Sequence, residues 1–209
     1  MEIEKHFEII DNQVIYDFDK TMSYLNRYGK SRFGEKFQLR RNDTLILGKL
    51  MSYAIRDRKT CERHDIDLEK GILLIGKIGC GKTSLMDIFR ILHYEQFRYQ
   101  MISSREIAKE FVMNGYPVLN KYGKKSKIIC FDDLGIETSI KHFGNECNTM
   151  GEILLSRYDI MKYDGILTHA TTNLNADDLE NLYGNRVRSR LREMFNVISF
   201  PSDAIDKRK

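Results

Sequence analysis

Eight consecutive residues, Gly76-Lys77-Ile78-Gly79-Cys80-Gly81-Lys82-Thr83, fit the spacing G-x-x-x-x-G-K-[ST]. Glycines at these positions let backbone N–H groups turn inward around phosphate oxygens. The Lys82 ammonium can then reach the β- and γ-phosphates, and the Thr83 hydroxyl can ligate Mg²⁺. An apolar run, Gly71–Ile75, leads straight into the loop, and a helical pattern over 84–94 leaves it. That order puts a helix N-terminus at the phosphates, where its unpaired N–H groups favour negative charge. The nucleotide-binding set is therefore Gly76, Lys77, Ile78, Gly79, Cys80, Gly81, Lys82, Thr83 and Ser84, with ATP and Mg as cofactors.

A phosphate loop of this kind needs an acid at the end of a neighbouring strand. The run Lys127–Phe131 (KIICF) ends in Asp132-Asp133, 56 positions after Gly76. Asp132 is expected to hold the magnesium together with Thr83, and Asp133 to polarise the attacking water. Adjacent carboxylates raise each other's pKa unless a cation is near, which itself argues for an ion. A further strand ends in Thr171-Thr172-Asn173. A polar Asn173 at that tip suits an ATPase that senses its γ-phosphate. A GTPase would need an Asn-Lys-x-Asp base reader, and the one Asn-Lys pair, Asn120-Lys121, runs on into Tyr122-Gly123. Two other classes stay open: a non-hydrolysing nucleotide-dependent adaptor and a small-molecule kinase.

The elements that must carry these groups alternate. Strands are predicted at 71–75, 100–102, 127–131, 165–171 and 196–200. Between them come helices at 84–94, from a Ser103/Glu106 capping box to 113, near 150–161, and from an Asn175/Asp178 cap to Gly184. Before them, Asp43 can cap a helix whose apolar face is Leu45, Leu47, Leu50, Met51 and Ala54. Strand–helix alternation predicts an α/β fold, a parallel sheet covered on both faces.

Near the far end of the sequence, Arg186, Arg188, Arg190 and Arg192 occupy alternate positions. At 100° per residue, Val187, Leu191 and Met194 fall on one helical face, flanked by Arg186 and Arg190 on one side and Arg188 and Arg192 on the other. One pair can then cross a subunit boundary to a neighbour's γ-phosphate, while the other meets acids or DNA.

Taken together, Asp132-Asp133-Leu134-Gly135, Thr172-Asn173 and Gly184-Asn185-Arg186-Val187-x-x-Arg190-Leu191-Arg192 resemble the AAA+ ATPases of the bacterial helicase-loader class, the DnaC/IstB-like proteins. The resemblance covers about residues 70–200. It implies a three-layer P-loop fold with a five-stranded parallel sheet of order 5-1-4-3-2. It also implies Asn173 as sensor 1, Arg190 as arginine finger with Arg186 beside it, ATP-dependent self-association, and a replicative helicase or a transposase as partner. Only nine residues follow Phe200, so the C-terminal helical lid of most AAA+ proteins is expected to be absent.

Composition sets the remaining bounds. No run of 18 apolar residues occurs, and Cys61, Cys80, Cys130 and Cys147 read as the reduced thiols of a cytosolic protein. Cys61 and His64 form a lone pair, whereas zinc needs four ligands. The segment 181–209 holds seven bases against three acids and so carries the whole formal charge of +4. Residues 1–42 interleave aromatic and basic side chains and match no helicase-gripping or zinc-bearing domain. They are expected to form a partner-binding extension ahead of an ATPase domain at 43–209. With Lys121, Lys124 and Lys125 in the loop KYGKKSK, they make single-stranded DNA a further candidate partner.

Overall fold

The computed structural model describes residues 7–10, 13–137, 140–142 and 145–208. A short antiparallel ribbon, β1 (Phe7–Ile10) and β2 (Gln13–Tyr16), precedes helices α1 (Phe18–Phe33), α2 (Thr44–Ala54) and α3 (Arg58–Arg63). Then follow β3 (Gly71–Ile75), α4 (Lys82–Phe89), β4 (Gln100–Ser103), α5 (Ser104–Asn114), α6 (Pro117–Gly123) and β5 (Ile129–Leu134). A small ribbon of β6 (Ile140–His142) and β7 (Asn145–Cys147) leads to α7 (Thr149–Asp164), β8 (Thr168–Thr172), α8 (Ala176–Tyr183), α9 (Asn185–Met194) and β9 (Phe195–Ser199).

The main sheet runs β4-β5-β8-β3-β9, every pairing parallel. With its five strands counted in chain order and read from the β9 edge, that is 5-1-4-3-2, as expected. Alternate residues of β3 face opposite layers. Ile72 and Leu74 pack with α1–α4, and Leu73 packs with α5–α9. β3 is thus buried on both sides, which is why it reads as a continuous apolar run, whereas the edge strands β4 and β9 keep exposed residues. Every strand points its C-terminal end to one edge, so the loop after β3, the acids of β5 and the Thr-Asn turn after β8 converge there.

Several predicted boundaries shift for local reasons. The helix after the phosphate loop starts at Lys82, two residues early, because Gly81 at φ 103° serves as its N-cap. Gly165, in left-handed conformation, closes α7, so β8 begins at Thr168 rather than 165. The Asn175/Asp178 capping box forms in full, with Asn175 Oδ1 accepting from the Asp177 and Asp178 N–H groups at 2.8 and 2.9 Å. The Ser103/Glu106 box does not. Ser103 sits at the N-cap without a side-chain bond, and Glu106 pairs with Lys109 at 2.7 Å instead. Asp43 likewise occupies the N-cap position of α2, but its carboxylate pairs with Lys207.

No break in packing marks residue 42. Leu25 of α1 is fully buried in the same apolar cluster as Leu47, Leu74 and Phe89. Arg32 holds Asp87 of α4 through Nε and Nη2 at 3.0 and 2.8 Å, and Arg90 holds the other oxygen at 3.0 Å. Residues 18–33 therefore brace the helix that leaves the phosphate loop. Among the described residues, no helix is long and apolar enough to cross a membrane.

Candidate nucleotide site

The phosphate loop spans the gap between β3 and α4. It begins with Gly76, whose N–H donates to Thr172 O at 3.2 Å, anchoring the loop to the end of β8. A side chain on Gly76 would collide with Cys80 Sγ and Phe200, so the backbone passes where only glycine fits. Gly79 and Gly81 both have positive φ, 83° and 103°, a region costly for any other residue. Lys82 is buried, and its ammonium donates to Gly76 O at 2.8 Å and Lys77 O at 3.2 Å. Two of its three donors hold the side chain along the loop, leaving a third for a phosphate oxygen. Ile78 at the loop tip is exposed, and Cys80 is fully buried, with burial pushing its thiol upward.

Across the loop, the Thr83 hydroxyl donates to Asp132 Oδ1 at 3.0 Å. Thr171, fully buried on β8, donates to the same oxygen at 2.7 Å and accepts from the Asp133 N–H at 2.9 Å. Thr171 thus fixes both acids. Burial raises the Asp132 carboxyl above its usual range, and the neighbouring Asp133 charge adds to this, against the pull of the two hydroxyls. A cation would reverse that balance. Among the described residues no group of three or more His, Cys, Asp or Glu gathers around one point. One hydroxyl and one carboxylate, completed by water and phosphate oxygens, nevertheless suit Mg²⁺, which keeps much of its water shell. The donor set fits that ion.

Asp133 has a left-handed backbone, φ 56°, and the register between β5 and β8 shifts between Phe131 and Leu134. The acids therefore lie inside β5, at its irregular end, rather than in the loop beyond it. The bulge turns Asp133 out of the ladder, as bulges beside reactive sites do. Asn173 is exposed immediately beyond β8, between the loop-bearing strand and the acid-bearing strand.

The arginine helix is α9, with Val187, Leu191 and Met194 buried as its spacing requires. Arg188 pairs with Glu180, and Asp177 lies 3.8 Å away. Arg190 stacks 4.4 Å from the Tyr158 ring centre and reaches Glu193 Oε1 at 3.2 Å. Arg186 is exposed and, among the described residues, makes no ion pair. Arg192 is also exposed.

The candidate DNA lysines stand elsewhere. Lys121 lies in the last turn of α6 rather than in a loop, and Lys124 and Lys125 lie between α6 and β5, at the edge where the strands begin, so the length of β5 separates all three from the phosphate loop. Glu110 takes Lys121 at 2.7 and 2.9 Å, and Gln100 Oε1 takes Lys125 at 2.7 Å, which leaves Lys124 exposed.

Two residues near the site escaped the sequence reading besides Thr171. Glu137 accepts from the Gly135 N–H at 3.0 Å and from the Tyr183 hydroxyl, and burial raises its carboxyl. Tyr183 ends α8, one residue before Gly184 and the start of α9. The turn after the paired acids is thereby tied to the arginine helix. Neither a Glu four residues past an Asp pair nor a Tyr before a Gly carries any signal without coordinates.

No protein-family profile matches the sequence, and no curated protein sequence does. Among solved structures, the DnaC helicase loader superposes with a TM-score of 0.56 at 18% identity, over 78% of this chain and 92% of that one. Replication initiator DnaA bound to AMPPCP and single-stranded DNA gives 0.53 at 15% identity, over 81% of this chain and 49% of that one. AMPPCP-bound DnaA from Aquifex aeolicus gives 0.52 at 17% identity, over 82% and 50%. This chain has the fold that these proteins share, the AAA+ type of P-loop fold.

Proposed function

We propose that this chain, which carries the AAA+ fold, is a Mg-dependent ATPase that works as a nucleotide-driven switch on a DNA-replication or transposition machine. The observation that carries the reading is the hydroxyl bond between Thr83 of the phosphate loop and Asp132 of the acid strand. It brings the phosphate loop and the acid strand together, which supports a magnesium ion held between Thr83 and Asp132. Magnesium, when bound, would neutralise phosphate charge between Thr83 and Asp132. The chain itself supplies the rest: loop N–H groups and Lys82 for the β- and γ-phosphates, Asp133 to orient water, and Asn173 to report the γ-phosphate. The fold is shared with a helicase loader and with an initiator bound to single-stranded DNA, which supports a replicative helicase as the partner class.

Hydrolysis is the feature that separates this reading from a non-hydrolysing adaptor. Asp133→Asn is a conservative probe, because Asn tolerates left-handed backbone nearly as well as Asp. It removes the charge that polarises water while leaving the Thr171 bond to the residue 133 N–H. Phosphate release should fall at least tenfold in this variant with ATP affinity kept. Wild-type protein that binds ATP yet releases no phosphate, with or without single-stranded DNA, would favour the adaptor.

A further inference from the structure

After β9 the chain turns back along the outside of the phosphate loop. The Phe200 N–H donates to Ile75 O at 2.8 Å, and the Lys207 N–H donates to Gly79 O at 2.9 Å. The Asp206 carboxylate packs against the bare Cα of Gly79, where any side chain would clash with it. The Lys207 side chain runs past Gly81, where an added Cβ would stand 3.5 Å from Nζ, to its ion pair with Asp43. The partners are mostly buried, with side-chain exposures of 18% for Lys207 and 9% for Asp43. The Phe200 ring lies 5.0 Å below the ammonium.

In a phosphate loop the N–H groups converge on the anion, so the carbonyls must point away from it. The Gly79 carbonyl accepts the Lys207 N–H, which fixes the peptide group that leads into Cys80. Gly76, Gly79 and Gly81 make this loop costly to order, since glycine loses more conformational freedom than any other residue. A backbone bond on the Gly79 carbonyl, fastened through Lys207 to Asp43 on α2, bears that cost before nucleotide arrives.

We propose that residues 201–208 are a brace for the phosphate loop, and that Lys207 and Asp43 are positioning residues for nucleotide binding. Neither needs to touch the nucleotide. The inference rests on the reading of Gly76–Thr83 as a nucleotide site and adds to it a dependence on two residues outside that motif.

The test uses the full chain. Lys207→Ala and Asp43→Ala should each weaken ATP and ADP binding by calorimetry, by a similar factor of about five to ten, because a brace acts on the loop both ligands use. The charge-reversed double variant Asp43→Lys/Lys207→Asp should recover most of that loss, which a merely structural role for either residue would not produce. Without nucleotide, the Cys80 and Gly81 amides should exchange hydrogen faster in each single variant than in wild type. Unchanged affinity and exchange would make the segment a passive neighbour. Tighter binding would make it an obstruction, and a loss confined to ATP would make Lys207 a phosphate ligand; each overturns the brace. Wild-type protein that binds neither nucleotide would instead overturn the site assignment, while the exchange measurement would still decide the brace.

Discussion

Subunits carrying Lys82→Ala, mixed with subunits carrying Arg186→Ala/Arg190→Ala, are expected to recover ATP hydrolysis that neither has alone. The first lacks the phosphate-loop ammonium and the second lacks the guanidiniums that α9 is proposed to offer to a neighbour. Each supplies what the other is missing only if the arginines act across a subunit boundary. A guanidinium delivered in trans stabilises charge in the transition state and is worth about 10³–10⁵ in rate. The double arginine variant alone should therefore lose about a thousandfold or more. The two arginines differ in readiness: Arg186 is exposed and free of ion pairs among the described residues, whereas Arg190 is engaged by Tyr158 and Glu193. Arg190 must leave those contacts to act, so Arg186→Ala should cost at least as much as Arg190→Ala. Absence of recovery in mixtures shown by sedimentation to associate would assign both arginines to the fold of α9.

The second large effect is on stability and lies far from the phosphates. Arg157 is completely buried and, among the described residues, pairs with no carboxylate. Its guanidinium donates to Thr168 Oγ1 at 2.8 Å and to the carbonyls of Lys125, Lys127 and Leu167 at 2.6, 3.2 and 2.9 Å. Those groups cluster at the starting ends of β5 and β8. Burial lowers its pKa to about 10, so it remains charged at neutral pH. Arg157→Ala strands three carbonyls and a hydroxyl, at about 1–3 kcal/mol for each group that stays dry, and leaves a cavity. Water entering the cavity and relief from burying a charge offset part of this. A net loss of about 3–5 kcal/mol is expected in urea unfolding, a large share of the 5–15 kcal/mol typical of a domain. A loss below about 1 kcal/mol would mean that the strand ends relax freely without it.

Much of the site could be read from spacing because its chemistry constrains consecutive residues. The Gly76–Thr83 string is dictated by backbone reaching around an anion, and its strand and helix follow from apolar runs on either side. The sheet order came from the resemblance, and the parallel pairings agree with it. What could not be read were groups chosen by partners distant in sequence. Thr171 looks like any strand threonine until Asp132 and Asp133 stand beside it. Lys207 looked like part of a basic tail, and Asp43 like a helix cap, yet they pair across 164 positions. Within the extension expected over residues 1–42, aromatic and basic composition hides the buried face that α1 presents around Leu25. Arg157 carried no signal, since a lone arginine in a helix is ordinarily solvated.

The central claim is that Gly76–Thr83 binds Mg·ATP, and titration calorimetry of wild type against Lys82→Ala with ATP and magnesium tests it most directly. Lys82 is held in place by Gly76 O and Lys77 O with a donor to spare, so its loss removes a charge-assisted phosphate bond worth about 1.5–3 kcal/mol. Affinity weaker by about tenfold to a hundredfold, in a variant that unfolds at the wild-type temperature, is the predicted result. Equal affinity in the two proteins, or no ATP binding by wild type at all, would contradict it.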